Sequence, residues 1–371
     1  MVAWAAAMAA CLSAWSAGAG GAGEVQVDPA VRQAAEEAAR KAVAYYRGAQ
    51  LEDGAFATGD FGPAITGLAV AGMLRSGAAD VGDPMIQKAL AYLERHVQPD
   101  GGVYLPGENR NYPTAVAVMA FVEANKDGRY QTVIDNAAAY LKGEQWDEGE
   151  GIDPSNPKYG GAGYGRKSRP DLSNTAFFLE ALQAAGVPKD DPAYQRAVRF
   201  VSRCQNLSGE GANDLEIAEK VDDGGFFYTP AELTYNPAGE TPEGGLRSYG
   251  SMTYAGLKSF LYAGVSKDDP RVRAATEWIR RHYSVEENPG LGQMGLFYYY
   301  QTFAKALDAL DVATFESADG EKHDWRGDLV RVLVEKQRPD GSWSNPEKRW
   351  LEDDARLVTA YCLLALAHVA R

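Results

Sequence analysis

The chain has 371 residues, 51 acidic against 37 basic, for a formal net charge of −14 at pH 7. That balance argues against partners that demand a basic face, nucleic acid and anionic membrane surfaces among them. Hydrophobic residues make up 45% of the chain, enough for a sizeable core, and the 24% charged fraction is that of an ordinary soluble protein.

The first segment, residues 1–23, is uncharged and rich in Ala and Gly, and it ends abruptly at Glu24. Its apolar part is too short for a comfortable membrane span. It fits the apolar region of a secretory signal, with Ala17-Gly18-Ala19 as the small-residue cleavage zone. Met8-Ala9-Ala10-Cys11 loosely resembles a lipoprotein box, which leaves a lipid anchor as the alternative. The expectation is an export segment over 1–23, followed by one domain over 24–371 with no transmembrane segment in the mature chain. Cys204 and Cys362 fall in helical patterns and read as buried thiols.

From Glu24 onward two features recur. The first is a Gln that closes an amphipathic helix and leads into a Gly turn, at Gln50, Gln98, Gln145, Gln205 and Gln337. The second is a Thr near the start of an apolar helix, at Thr66, Thr114, Thr175, Thr253, Thr302 and Thr359. Helices before the Gly turns are one-sided: Ile86, Ala89, Leu90, Leu93 and Val97 make a single stripe. Helices after the turns are apolar nearly all round, as in the segment from Thr114 to Ala124, and must be buried on every side. Amphipathic helices therefore form an outer ring and apolar helices an inner one. Six hairpins predict an all-α fold, an (α/α)6 toroid, with an open superhelix as the alternative. Asp83-Pro84, Asp191-Pro192 and Asp269-Pro270 supply helix caps with proline at the first helical position.

The turn Gln337-Arg-Pro-Asp-Gly-Ser-Trp343 resembles the QW repeat of squalene–hopene cyclases and protein prenyltransferase β subunits. The resemblance implies that Gln337 and Trp343 are structural staples and that chemistry sits where the inner helices begin. In the cyclases the proton donor lies in an Asp-x-Asp-Asp-Thr-Ala segment. The matching segment here, Asp171-Leu172-Ser173-Asn174-Thr175-Ala176, replaces the donor with Ser173 and the third Asp with Asn174. A serine hydroxyl is too weak an acid to protonate an alkene or epoxide. Cyclisation is therefore not expected, and Asp171 is left as the best catalytic candidate.

The prenyltransferase branch binds zinc through an Asp-x-Cys pair and a His. The comparable helix start, Tyr249-Gly-Ser-Met-Thr-Tyr254, has neither Asp nor Cys, and the four histidines share no ligand spacing. Neither a metal nor a cofactor is expected. The reactive Cys-Gly-Glu-Gln segment of toroidal thioester domains is missing too.

The loops before the inner helices supply Tyr164, Arg166, Arg169, Asp171, Asn174, Arg247, Tyr249, Tyr299, Trp350, Asp353 and Asp354 as candidate ligand-binding residues. They read either as caps and ion pairs (Asp171 with Arg166 or Arg169, Asp353 or Asp354 with Arg349) or as a binding rim. The expected function is an exported toroid that binds an isoprenoid or other small molecule at the inner-helix mouth. The alternative is an enzyme on the same scaffold, either terpenoid-processing or a glycan hydrolase or lyase using Asp171 with Asp353 or Asp354. A structural interaction module comes third. Whether Phe177, Phe178 and Tyr254 plug the ring is left open by the sequence.

Overall fold

The computed structural model describes residues 27–107, 109–165, 168–209 and 211–369. The expected export segment and Arg166 lie outside the described residues. Twelve α-helices are present among those described. Six are outer: α1 (Pro29–Ala49), α3 (Pro84–Glu94), α5 (Gln131–Gly143), α7 (Pro192–Arg203), α9 (Pro270–Arg281) and α11 (Trp325–Lys336). Six are inner: α2 (Gly62–Arg75), α4 (Asn111–Ala124), α6 (Leu172–Ala184), α8 (Gly250–Tyr262), α10 (Leu296–Ala309) and α12 (Ala355–Leu366). A short antiparallel pair, β1 (Phe315–Glu316) and β2 (Lys322–His323), decorates the connection before α11.

Each inner helix packs on the inner helices before and after it, and α12 packs on α2. The inner ring is therefore closed, and outside it α1 packs on α11, so the last hairpin meets the first and the open superhelix is excluded. The segregation follows from the sequence. In α4 every residue from Pro113 to Phe121 is buried, whereas α7 buries only the stripe of Ala193, Tyr194, Ala197, Phe200 and Val201 and the residues at its end. Four outer helices start at Asp-Pro. Asp28, Asp83, Asp191 and Asp269 each accept from the backbone N–H two residues on, a cap contributing about 1 kcal/mol.

The recurrent Gln joins neighbouring hairpins. Gln337 Nε2 donates to Gly341 O of its own turn and to Ala38 O of α1, both at 2.9 Å, and so closes the ring. Gln50, Gln145 and Gln205 likewise bond their own turn and the first turn of the next outer helix, at Met85, Ala193 and Arg271. Gln98 is the exception, bonding only His96 and Tyr104 carbonyls nearby. The turn glycine is obligatory: Gly341 has φ +87°, and a Cβ there would overlap Lys41 O. The recurrent Thr explains itself too. The hydroxyls of Thr66, Thr114, Thr175, Thr253 and Thr359 accept from the turn N–H groups of Phe56, Val103, Ala162, Phe226 and Trp343 at 2.9–3.1 Å. Five of the six apolar helices are thereby tied to their turns, whereas Thr302 of α10 bonds carbonyls of its own helix.

Candidate ligand site at the mouth of the toroid

Bonds between inner helices that are not ring neighbours must cross the axis, and they fall in two layers. The lower layer is ionic. Glu180 of α6 meets Arg75 of α2 at 3.2 Å, Lys305 of α10 at 2.9 Å and Lys258 of α8 at 3.0 Å, and Arg75 also pairs with Glu123 of α4. Burial alone would raise the Glu180 pKa, but Lys258, Lys305 and Arg75 hold it well below the usual range. Burial pushes the Lys305 ammonium down to about 7, against the attraction of Glu180. This cluster plugs the axis toward the C-terminal ends of the inner helices.

Phe177 separates the plug from the space above it. Its ring centre lies 5.6 Å from Lys258 Nζ and 5.5 Å from Lys305 Nζ, and it also lines the cavity. The sequence left two outcomes open, plugged or open, and the axis holds both in succession.

The cavity has a volume of about 290 Å³ and sits where the inner helices begin. Tyr112, Phe177, Tyr298 and Tyr361 line it from α4, α6, α10 and α12, joined by Tyr164, Tyr228, Tyr249 and Trp350 from the segments between helices. Ser173 Oγ and Tyr298 Oη bond across the axis at 2.8 Å. Among the described lining residues Glu352 alone is charged. Phe61, Tyr164, Trp350 and Leu351, four of the six large apolar side chains left exposed among the described residues, form a collar at the opening.

Asp171 caps α6. Its carboxylate accepts from Asn174 N and Asn174 Nδ2, both at 2.8 Å, and it is buried behind Asn174 and Tyr228, which do line the cavity. Burial raises its pKa to about 6, against the pull of Asn174, Tyr228 and Arg169. Nδ2 is committed to Asp171, and Oδ1 is buried with no hydrogen-bond partner among the described residues.

Glu352 was not singled out from the sequence. It is 1% exposed, accepting from Tyr298 N at 2.8 Å and from Asn345 Nδ2 at 2.7 Å. Burial pushes its pKa up to about 7, opposed by Asn345 and by the N–H groups of Tyr298, Phe297 and Leu296. It caps α10 from a distant part of the chain, because the residue preceding that helix is Gly295, which has no side chain to do so. Trp350 and Leu351 have φ of 58° and 61°, and this left-handed pair sets the turn into Glu352. Such backbone costs on the order of 1 kcal/mol or more per residue, and strain of this kind gathers at ligand sites. Gly295 makes room for Trp350: a Cβ there would stand 3.0 Å from the indole. A sequence signal for Glu352 existed in principle, namely an apolar helix opening on Gly with no capping residue.

Of the other sequence-derived candidates, Tyr164, Asn174, Tyr249 and Trp350 line the cavity. Arg169 does not: it pairs with Glu232 and lies over the rings of Tyr228 and Tyr235, at 5.4 and 4.6 Å, rather than pairing with Asp171. Arg247 is exposed and bonds Glu240 O. Tyr299 is fully buried in the wall, donating to Ser284 O, and its neighbour Tyr298 faces the cavity instead. Asp353 is exposed, and Asp354 caps α12 and pairs with Arg356, not Arg349. Neither of them lines the cavity, and Asp171 does not either. Cys204 and Cys362 are buried free thiols. Among the described residues no group of three His, Cys, Asp or Glu is placed to hold a metal ion.

Residues 62–218 match the family model of the squalene-hopene cyclase C-terminal domain. No curated protein sequence matches the chain. In three dimensions it is similar to the type II terpene cyclase MstE from Scytonema. An Asp-to-Ala variant of that enzyme in complex with merosterolic acid A, its product, is 13% identical with a TM-score of 0.51, over 92% of this chain and 98% of that one. The apo enzyme is 12% identical with a TM-score of 0.52, over 90% and 98%. At such identity the likeness concerns the fold, and it agrees with the closed helical rings and the family match over α2 to α7. The chain therefore shares the fold of a type II terpene cyclase, and residues 62–218 are similar to the squalene-hopene cyclase C-terminal domain.

Proposed function

We propose that this protein is exported and binds a small or lipid-like molecule in the cavity at the mouth of its inner ring. The observation that carries the reading is the cavity with its collar: an aromatic space of about 290 Å³, entered past four exposed apolar side chains. That volume has room for about ten waters or one small organic ligand. The related cyclase, crystallised with a terpenoid product, supports a hydrocarbon-bearing ligand. By the resemblance of its segment, Ser173 replaces the cyclase proton donor, and its bond with Tyr298 adds no acid, which weighs against proton-initiated cyclisation.

Farnesol is a suitable first probe, with Trp350 at the opening as the fluorescent reporter. Wild-type protein is expected to bind it in the micromolar range. Met252→Trp, which fills the cavity from α8, is expected to weaken binding at least tenfold. Absence of binding to the wild type would overturn the reading. Export is tested separately by the N-terminal residue of protein recovered outside the cytoplasm, expected just beyond Ala19; retention of the whole segment inside the cell would contradict it.

One observation favours an enzyme as the second reading. Glu352 is a cavity-lining carboxyl that titrates near neutrality, the property of a general acid or base. In that case Glu352→Gln abolishes turnover of the ligand while leaving it bound.

A further inference from the structure

We infer that the molecule held at the mouth carries an organic cation, an alkylammonium group on an apolar body, seated between the aromatic rings and the Glu352 carboxylate. This rests on the ligand-binding reading and narrows it to a chemical class.

Three features of the lining point the same way. The described lining residues include no Lys, Arg or His, so an anionic head group such as a carboxylate or diphosphate finds no counter-charge among them. Among the polar groups of the lining, the tyrosine and serine hydroxyls can donate or accept, whereas Asn174 Oδ1 and an ionised Glu352 can only accept. Asn174 Oδ1 is a buried carbonyl oxygen without a partner, its amide orientation set by the Nδ2 bond to Asp171, and Glu352 adds the charged acceptor. The rest is largely ring faces, from Tyr112, Phe177, Tyr298, Tyr361 and Trp350, whose quadrupoles attract cations.

Among the described residues, several basic groups around the cavity are engaged by other partners. Lys258 and Lys305 lie beneath Phe177 on Glu180, and Arg169 is held by Glu232 and two tyrosine rings. Arg349 stacks 4.9 Å from the Trp350 ring centre and is itself exposed. The Lys258 and Lys305 contacts on Phe177 show the same chemistry inside this protein, since both ammonium groups sit at cation–π distance from that ring. Phe177 also lines the cavity, together with four more rings.

The test holds the hydrocarbon constant and varies the head: farnesylamine, farnesol and farnesoic acid, titrated at pH 8, where the amine is protonated and the acid ionised. The amine is expected to bind at least tenfold more tightly than the alcohol, and the acid most weakly. In Glu352→Gln the amine should fall toward the alcohol, with the alcohol itself little changed. Equal binding of amine and alcohol to the wild type overturns the cation inference and leaves the ligand site standing. Tightest binding of the acid overturns it outright. Failure of all three to bind removes the ligand-binding reading, and the inference with it. Because Glu352 also caps α10, its variant could be lost to misfolding; the wild-type series alone still decides.

Discussion

Two carboxyl groups at the mouth, Asp171 and Glu352, cap different inner helices, and both titrate above their ordinary range because they are buried. Only Glu352 touches the cavity. The sequence led to Asp171 through its place in the cyclase-like segment, and that residue does sit at the start of α6. Glu352 escaped notice because its role is defined by a helix 54 residues earlier, which begins on Gly295 and borrows its cap. Local patterns expose caps that come from the preceding residue, not caps that arrive from elsewhere. The neighbouring Asp353 and Asp354 looked equivalent in sequence, and only the turn at Trp350 and Leu351 distinguishes them.

The raised pKa values have a signed consequence. A carboxyl whose pKa is higher in the folded than in the unfolded state binds more protons when folded, so stability falls as pH rises between the two values. For Glu352 that window runs from about 4.5 to about 7, and for Asp171 from about 3.8 to about 6. Each could contribute on the order of 3 kcal/mol across its window. Urea denaturation of Glu352→Gln beside wild type should therefore show the variant gaining relative stability as pH goes from 4 to 8. A difference that stays flat with pH contradicts the buried-acid assignment. Taking the difference between proteins cancels the many surface carboxylates that titrate in the opposite sense.

Among the elements, the helices and their caps were the most legible. The Asp-Pro starts, the apolar stripe of α3 and the all-round apolarity of α4 each translate directly into burial. The recurrent Gln and Thr were visible as a pattern, but their partners were not, since a spacing cannot say which carbonyl a side chain will meet. Gln337 has the largest structural consequence. It alone among these glutamines joins the last outer helix to the first, across 299 positions in sequence. Gln337→Ala removes two bonds and leaves the Ala38 and Gly341 carbonyls short of a donor, a loss of about 2 kcal/mol. Chemical denaturation checks it. A change below a few tenths of a kcal/mol would mean that the ring closure does not depend on this staple.

At the scale of the whole molecule, six hairpins sufficed to anticipate a closed toroid, while the filling of its axis stayed hidden. A signal was nonetheless present. Glu180, Lys258 and Lys305 are rare charges in largely apolar inner helices, lying five, five and three residues after Thr175, Thr253 and Thr302. Charges of both signs at nearly the same depth are what a central ion cluster requires. Glu180 neutralises three cations that have little access to water. Glu180→Gln would strand Arg75, Lys258 and Lys305 with Glu123 as their remaining partner, and removal of one member of such a buried group costs roughly 3–5 kcal/mol. Thermal unfolding measures this loss. A variant as stable as wild type would show that the plug contributes little to holding the inner ring together.

The plug also fixes the depth of the site above it, so that a ligand entering the mouth must stop at Phe177. A crystal structure of the mature protein with farnesylamine tests this most directly. The account predicts the hydrocarbon among Tyr112, Phe177, Tyr298 and Tyr361, with its nitrogen within hydrogen-bond distance of Glu352 or Asn174 Oδ1. An empty cavity at saturating amine, or a ligand bound on the outer surface of the ring, would contradict it.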